Sequence, residues 1–442
     1  MKNDIQDFIT KLEQEHELFR YLCNKKDFIS GKDTVYYAGP YFDMNEKVAM
    51  IESIFSGKWL SAGEKVNEFE NKFSEKFGLK YSVMVNSGSS ANLIMMSALK
   101  KYLNWSDGDE IILSPVGFPT TIAPVIQNNL KPVFIDISMH DLNFDEQNIM
   151  AKFTNRTKAI FISPVLGNPP DMKFLNAISK NTGIELILDN CDSLGSKWEG
   201  RYLSEYCIAS SSSFYPAHHI CTGEGGMIST NYTKLYRIIR SLTSWGRACT
   251  CVGVENTLPN GSCGKRFGKW LQGYNNIVDH RYIFSNVGYN MKPLDLQGAI
   301  GIEQLKKFDK MHEIRRANKE SLGKALEEID GVRVLQELES AETGWFGVGI
   351  ICENKELKQS LTQYMEQNRI QTRNYFGGNL LMHPAFKNLD DIEHYPNANK
   401  VIDLVFFIGC SPTIQIKMVE YIKEIIGKYI GSVYELELAQ IG

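Results

Sequence analysis

Residues 81–93 read YSVMVNSGSSANL. An apolar run, Ser82–Val85, meets the small polar cluster Asn86-Ser87-Gly88-Ser89-Ser90-Ala91, which opens a helix-like segment. Small residues let backbone N–H groups approach an anion. A helix N-terminus adds partial positive charge, and the hydroxyls add donors. The same residues also suit an ordinary helix cap, so on its own the stretch leaves phosphate binding open. Working outward, short apolar runs at Ile111–Leu113, Pro132–Ile135, Ala159–Ile162 and Leu186–Leu188 alternate with segments suited to helices, as far as Ile228. This rhythm predicts βαβ units and an α/β fold whose mostly parallel sheet is covered on both faces.

The chain has 442 residues, a length that suits about three domains, or two if one is large. Hydrophobic residues make up 43% and charged residues 23%, as in folded soluble proteins. Forty-eight basic against fifty-two acidic residues leave a net charge of −4. That argues against a nucleic-acid protein working by bulk positive charge. Ala159–Gly167 is apolar but far short of the ~20 residues of a membrane helix. The opening residues carry acids from Asp4 onward and lack a signal-peptide core. Nine cysteines without export signals predict a reducing cytoplasm, where clustered cysteines are ligands or nucleophiles rather than disulfides.

Residues 1–30 read as an amphipathic helix with Ile5, Phe8, Ile9 and Leu12 on one face, packed on the main body or binding a partner. Gly31–Asp43 reads as a loop or arm. A helix over Lys65–Phe77 places Val66, Phe69, Phe73 and Phe77 together. Ser244–Tyr289 breaks the rhythm and is too long for an ordinary connection, which marks it as functional. Pro293–Phe308 returns to helical spacing. The last third reads as helix, strands (Val332–Gln336, Gly347–Cys352), then helices. The expected division is an arm (1–45), a large domain (46–310, including 244–289) and a small α+β domain (311–442).

Three further motifs carry chemistry. Asp189-Asn190-Cys191-Asp192 directly follows Leu186-Ile187-Leu188. In open parallel sheets ligands sit outside the carboxyl ends of strands. An Asp there can keep a pyridine-type ring nitrogen protonated, or it can simply cap a helix. Ser211–Ser213 leads through Phe214-Tyr215-Pro216-Ala217 to His218 and His219, then to Thr222–Gly226. Adjacent histidines on an extended segment point to opposite faces, which argues against a shared metal. One in a cleft can act as general base, and both can be structural. Cys249 and Cys251 form Cys-x-Cys; eleven residues separate Cys251 from Cys263, and fifty-seven separate Cys191 from Cys249. Four thiolates can hold zinc or an iron–sulfur cluster. The closeness of Cys191 to Asp189 suits electron transfer to a cofactor better than stapling a loop. Cys23, Cys207, Cys221, Cys352 and Cys410 read as scattered free thiols.

Taken in order, several segments resemble the DegT/DnrJ/EryC1/StrS sugar aminotransferase family. They are Gly57–Leu93, Gly167-Asn168-Pro169-Pro170-Asp171-Met172, Ser213–Gly226, Gly288-Tyr289-Asn290-Met291 and Asp295–Gly301. The resemblance implies the fold-type I scaffold of pyridoxal phosphate (PLP) enzymes, with a large α/β domain, a smaller C-terminal α+β domain and a homodimer sharing its active sites. The family's lysine, which bonds PLP, is replaced here by His218. A histidine cannot make that bond but can still remove a proton. The resemblance therefore implies a cofactor held noncovalently, as pyridoxamine phosphate (PMP) or PLP, and no completed transamination.

With the cysteine set, the resemblance narrows to the family's iron–sulfur 3-dehydrase branch. It implies a [2Fe–2S] cluster on Cys191, Cys249, Cys251 and Cys263. It also implies C3 deoxygenation of CDP-4-keto-6-deoxy-D-glucose, or of a dTDP-linked sugar, on the way to the dideoxysugars of surface polysaccharides. The electrons would come from an NAD(P)H-dependent iron–sulfur flavin reductase. The gap before Cys263 exceeds the family's, and Gly264-Lys265-Arg266-Phe267 resumes its wording, so a short loop insertion accounts for it. Carried over by residue, Asp189 pairs with the ring nitrogen, and Phe118 stacks on the ring. Gly88, Ser89 and Ser213 bind the phosphate. Asn290 reaches the partner subunit's phosphate, Asp192 lies near the phenolic oxygen, and His218 is the base. Rival readings are a cluster-free dehydratase, an ordinary aminotransferase and a noncatalytic relative stapled by zinc. Arg373 stands open between diphosphate binding and a solvated loop.

Overall fold

The computed structural model describes residues 2–15, 27–57, 60–249 and 266–441. Helix α1 (Lys2–Glu15) packs Ile5 and Ile9 against Val48 of α2 (Met44–Ser56). Phe8, expected on that stripe, is 59% exposed. Among the described residues the helix packs chiefly on α2, so only a narrow strip is covered and Phe8 lies past its rim. The remainder of the helix expected over 1–30 includes residues 16–26, outside the described residues. Helix α3 (Glu64–Lys76) buries Val66, Phe69 and Phe73, and Phe77 follows them into the same cluster, as the spacing predicts.

The main sheet is assembled from β1 (Tyr81–Val85), β2 (Glu110–Leu113), β3 (Lys131–Phe134), β4 (Thr157–Ile162) and β5 (Glu185–Asp189). Helices α4 (Gly88–Tyr102), α5 (Pro119–Gln127) and α6 (Met172–Thr182) lie between them. Two short strands, β6 (Lys197–Trp198) and β7 (Arg201–Tyr202), precede β8 (Ala209–Ser213) and β9 (Gly226–Thr230). The strand order is β1-β9-β8-β5-β4-β2-β3. Every strand but β9 runs the same way. β9 is reversed because the chain returns from β8 through residues 214–225 without a crossover helix, and an adjacent return must be antiparallel. Side chains alternate between two cores. Ile112, Ile160, Ile162, Leu186 and Leu188 enter one, and Ile111, Leu113, Ala159, Phe161 and Ile187 the other. Burial on both faces explains why these strands read as continuous apolar runs.

Helix α7 (Thr233–Thr243) closes this layer. The segment around the hairpin β10 (Phe267–Gly268) and β11 (Val278–Asp279) is mostly irregular, as its composition predicts. Helices α8 (Asp295–Lys306) and α9 (Phe308–Leu326) follow. The second sheet, in order β12-β14-β16-β15, is antiparallel: β12 (Val332–Val334), β14 (Gly347–Cys352), β15 (Thr372–Asn374) and β16 (Val405–Gly409). Helices α10 (Lys355–Gln367), α11 (Pro396–Leu404) and α12 (Ile416–Ile441) accompany it. β13 (Ala341–Glu342) pairs with β6 and stitches the second half of the chain to the first. Among the described residues no helix is long and apolar enough to cross a membrane.

Candidate active site

The carboxyl ends of β1, β5 and β8 deliver Ser87-Gly88-Ser89, Asp189–Asp192 and Ser213 to one cavity of about 670 Å³. Helix α4 begins there, its N-terminus capped by the Ser87 hydroxyl, which accepts from the Ser90 N–H at 3.1 Å. A Cβ on Gly88 would lie 2.5 Å from the Ser213 Cβ and 3.1 Å from the Cys191 sulfur. Only glycine lets the end of β8 come this close to the first turn of α4. Gly226 does the same on the neighbouring strand, where a Cβ would lie 2.3 Å from the Ser87 carbonyl oxygen. First-turn N–H groups with the Ser89 and Ser213 hydroxyls make a donor set suited to a phosphate.

Asp189 lies across the cavity, 6% exposed. Its Oδ2 accepts from Asn92 Nδ2 at 2.8 Å and Thr121 Oγ1 at 2.7 Å. Its Oδ1 accepts from the Cys191 N–H at 3.3 Å. Sequence reasoning did not single out Asn92 or Thr121. The available signal was a polar side chain inside each of two largely buried helices, α4 and α5. Phe118 stands at the start of α5 with its ring 49% exposed on the cavity wall and edge-on to Phe376.

The run to the histidines is a turn, not the extended segment expected, because the His218 N–H bonds back to the Tyr215 carbonyl at 2.9 Å. The two rings nevertheless diverge. His219 is buried, with Nε2 2.5 Å from the Gly344 carbonyl, a structural contact. His218 lines the cavity, its ring 5.2 Å from that of Phe346 and its Nδ1 3.5 Å from Asp192 Oδ1. Burial, then the Arg315 charge, pushes the His218 imidazole down to about 4. Burial, then Asp189, raises the Asp192 carboxyl well above its ordinary value. Both shifts disfavour the charged form where the two groups face each other. Arg315, also missed in the sequence, is fully buried beneath this turn.

Cys191 lines the same cavity, its thiol pushed up by burial and by Asp189. Cys249 is half-buried in the irregular segment. Cys251 and Cys263 lie outside the described residues. Asn290 lies outside the cavity wall, exposed and bridged to Ser244, with its side-chain oxygen bonded to Lys292.

The cradle at Gly88, the anchored Asp189, the aromatic wall and the His218 imidazole fit a pyridoxal-type cofactor. The described wall contains no lysine to bond it. The chain is 37% identical, over 91% of its length and 88% of the relative's, to a dTDP-4-dehydro-2,6-dideoxy-D-glucose 3-dehydratase of Saccharopolyspora spinosa. It is 33% identical, over 97% and 99%, to a lipopolysaccharide biosynthesis protein of Salmonella typhimurium. A solved E. coli GDP-4-keto-6-deoxy-D-mannose-3-dehydratase with bound hydrated PLP superposes with a TM-score of 0.78 at 30% identity, over 89% of this chain and 99% of that one. The family profile matches residues 42–427. With this cavity at the strand ends, the chain belongs to the DegT/DnrJ/EryC1/StrS aminotransferase family and has its PLP-dependent, mostly parallel α/β fold.

Proposed function

We propose that the protein is a nucleotide-sugar 3-dehydratase that uses PMP noncovalently on a 4-keto-6-deoxyhexose. The observation that carries the reading is His218 in the cofactor cavity, with no lysine in the described wall. Gly88, Ser89 and Ser213 would hold the cofactor phosphate, Asp189 its ring nitrogen, and Phe118 its ring face. When bound, the cofactor supplies an amine for the sugar ketone and a sink for electron density. The His218 ring lines the cavity with Nδ1 3.5 Å from Asp192 Oδ1, where it would exchange protons with the bound reactants. Neutral at physiological pH, His218 can take a proton first. It then carries the proton that the C3 hydroxyl needs to leave, because hydroxide is a poor leaving group.

The finer reading is reductive. Cys191, Cys249, Cys251 and Cys263 would hold a [2Fe–2S] cluster supplying the electrons that net deoxygenation consumes, drawn from an NAD(P)H-dependent iron–sulfur flavin reductase. The thiol chemistry and spacing of the set support it. CDP-4-keto-6-deoxy-D-glucose is the substrate of this reading, with a dTDP-linked sugar as the alternative that the Saccharopolyspora relative supports. A homodimer goes with it. Exposed Phe267, Ile277, Tyr282, Phe284 and Val287 form an apolar stretch that a second copy would cover.

Iron and acid-labile sulfide assays on anaerobically purified protein, with absorption spectra before and after dithionite, test this. Iron and sulfide in equal amount with a bleachable visible band uphold the reductive reading. Protein without iron after reconstitution that still dehydrates the sugar reduces it to a redox-independent dehydratase. Zinc in place of iron, with no turnover, overturns both.

A further inference from the structure

The cavity mouth is built from two distant pieces of chain. The arm at Val35 bridges Ile370 in parallel, with the Gln371 N–H bonded to the Val35 carbonyl at 3.0 Å. This brings Tyr37 beside β15. The Tyr37 ring stands edge-on to Phe407 at 6.1 Å, and the Arg373 guanidinium covers its face at 4.5 Å. Arg373 Nη1 donates to the Thr372 carbonyl at 2.7 Å and Nη2 reaches Gln371 Oε1 at 3.4 Å. These contacts fix the plane of the fork and leave other donors of the guanidinium free for an anion.

Charge makes the placement telling. Among the described residues that wall the cavity, Arg373 is the sole lysine or arginine, against the carboxylates of Asp189, Asp192 and Glu224. No carboxylate pairs with it among the described residues. The cradle at Gly88 accounts for one phosphate group, deep in the cavity. A substrate bearing a diphosphate needs a second cation, farther out.

We infer that Arg373, held flat on Tyr37, is the diphosphate-binding residue for a nucleoside-diphosphate sugar. The inference rests on the nucleotide-sugar reading above. A charge-assisted bidentate contact of this kind contributes about 10- to 100-fold in affinity. It places the nucleotide outside Tyr37 and the sugar between Arg373 and His218.

Equilibrium titration of the cofactor-loaded protein with CDP, dTDP and GDP, and separately with L-glutamate, tests it on wild type, Arg373→Gln and Arg373→Lys. The expected result is about 10- to 100-fold weaker nucleoside-diphosphate binding in Arg373→Gln. Partial recovery should follow in Arg373→Lys, with glutamate binding and the cofactor absorption band unchanged. Equal diphosphate binding in wild type and Arg373→Gln overturns the subsite alone. Loss of glutamate binding only also overturns it, because the guanidinium would then serve an amino-acid carboxylate. A wild type that binds none of the three nucleotides overturns the nucleotide-sugar reading, and the subsite with it.

Discussion

Arg315 Nη2 donates to the main-chain carbonyl of His218 at 3.0 Å. The same nitrogen reaches the Ala217 carbonyl at 3.4 Å, while Nη1 reaches those of Trp345 and Phe346 at 3.2 and 3.4 Å. One buried guanidinium from α9 therefore clamps the turn that carries His218 to the chain entering β14. Carbonyl dipoles compensate its charge, which in turn disfavours a second charge on His218.

Arg315→Met should remove the clamp and strand the carbonyls it served. Stability should fall by about 1–3 kcal/mol, read from urea midpoints. The His218 imidazole should also titrate at higher pH, because a neighbouring positive charge has gone. Arg315→Lys should restore part of the titration shift. A histidine ring whose NMR titration is unmoved in Arg315→Met would show that the charge does not reach it.

The pH dependence of stability has a fixed sign at His218. Its folded value, about 4, lies below the unfolded value of 6.5. Between them the unfolded chain binds more protons, so stability is complete above 6.5 and is lost as pH falls towards 4. One such group gives a slope of up to about 1.4 kcal/mol per pH unit. His219 and His312 are shifted the same way, and Asp192 the opposite way. The readout is therefore the wild-type slope minus that of His218→Asn, which should be positive between pH 4 and 6.5 in denaturation curves.

Gly88→Ala should weaken cofactor loading by pushing the end of β8 away from the first turn of α4. The new methyl must displace Ser213 and Cys191, which abut it at 2.5 and 3.1 Å. Titration with PLP followed by absorbance should show at least ~10-fold weaker loading, since a wrongly spaced cradle forfeits about 1.4 kcal/mol or more. Tight loading in this variant would place the phosphate elsewhere.

Thr121→Val and Asn92→Ala each free one bond on Asp189 Oδ2. Each should weaken cofactor loading by about fivefold, the worth of roughly 1 kcal/mol. Because they share one acceptor, the double variant should depart from the sum of the singles. Independent effects would mean that neither residue acts through Asp189.

Local sequence was enough for strands β1 to β5 and for the buried face of α3. The run Leu186-Ile187-Leu188 and the spacing Val66, Phe69, Phe73, Phe77 encode burial through local periodicity, and the structure places them accordingly. The residues at the strand ends were legible for the same reason. Asp189 and Ser213 end β5 and β8, and Gly88 and His218 lie within five residues of a strand end, so their position in the chain forecasts the rim they share. Tertiary structure alone decided the rest. The pairing of β9 with β1, the clamp from Arg315 to His218, the anchoring of Asp189 by Asn92 and Thr121, and the stacking of Arg373 on Tyr37 join residues far apart in sequence. Such partners are chosen by which surfaces the packed layers bring face to face. No local period records that choice, because the contact energy appears only once the sheets and helices have met.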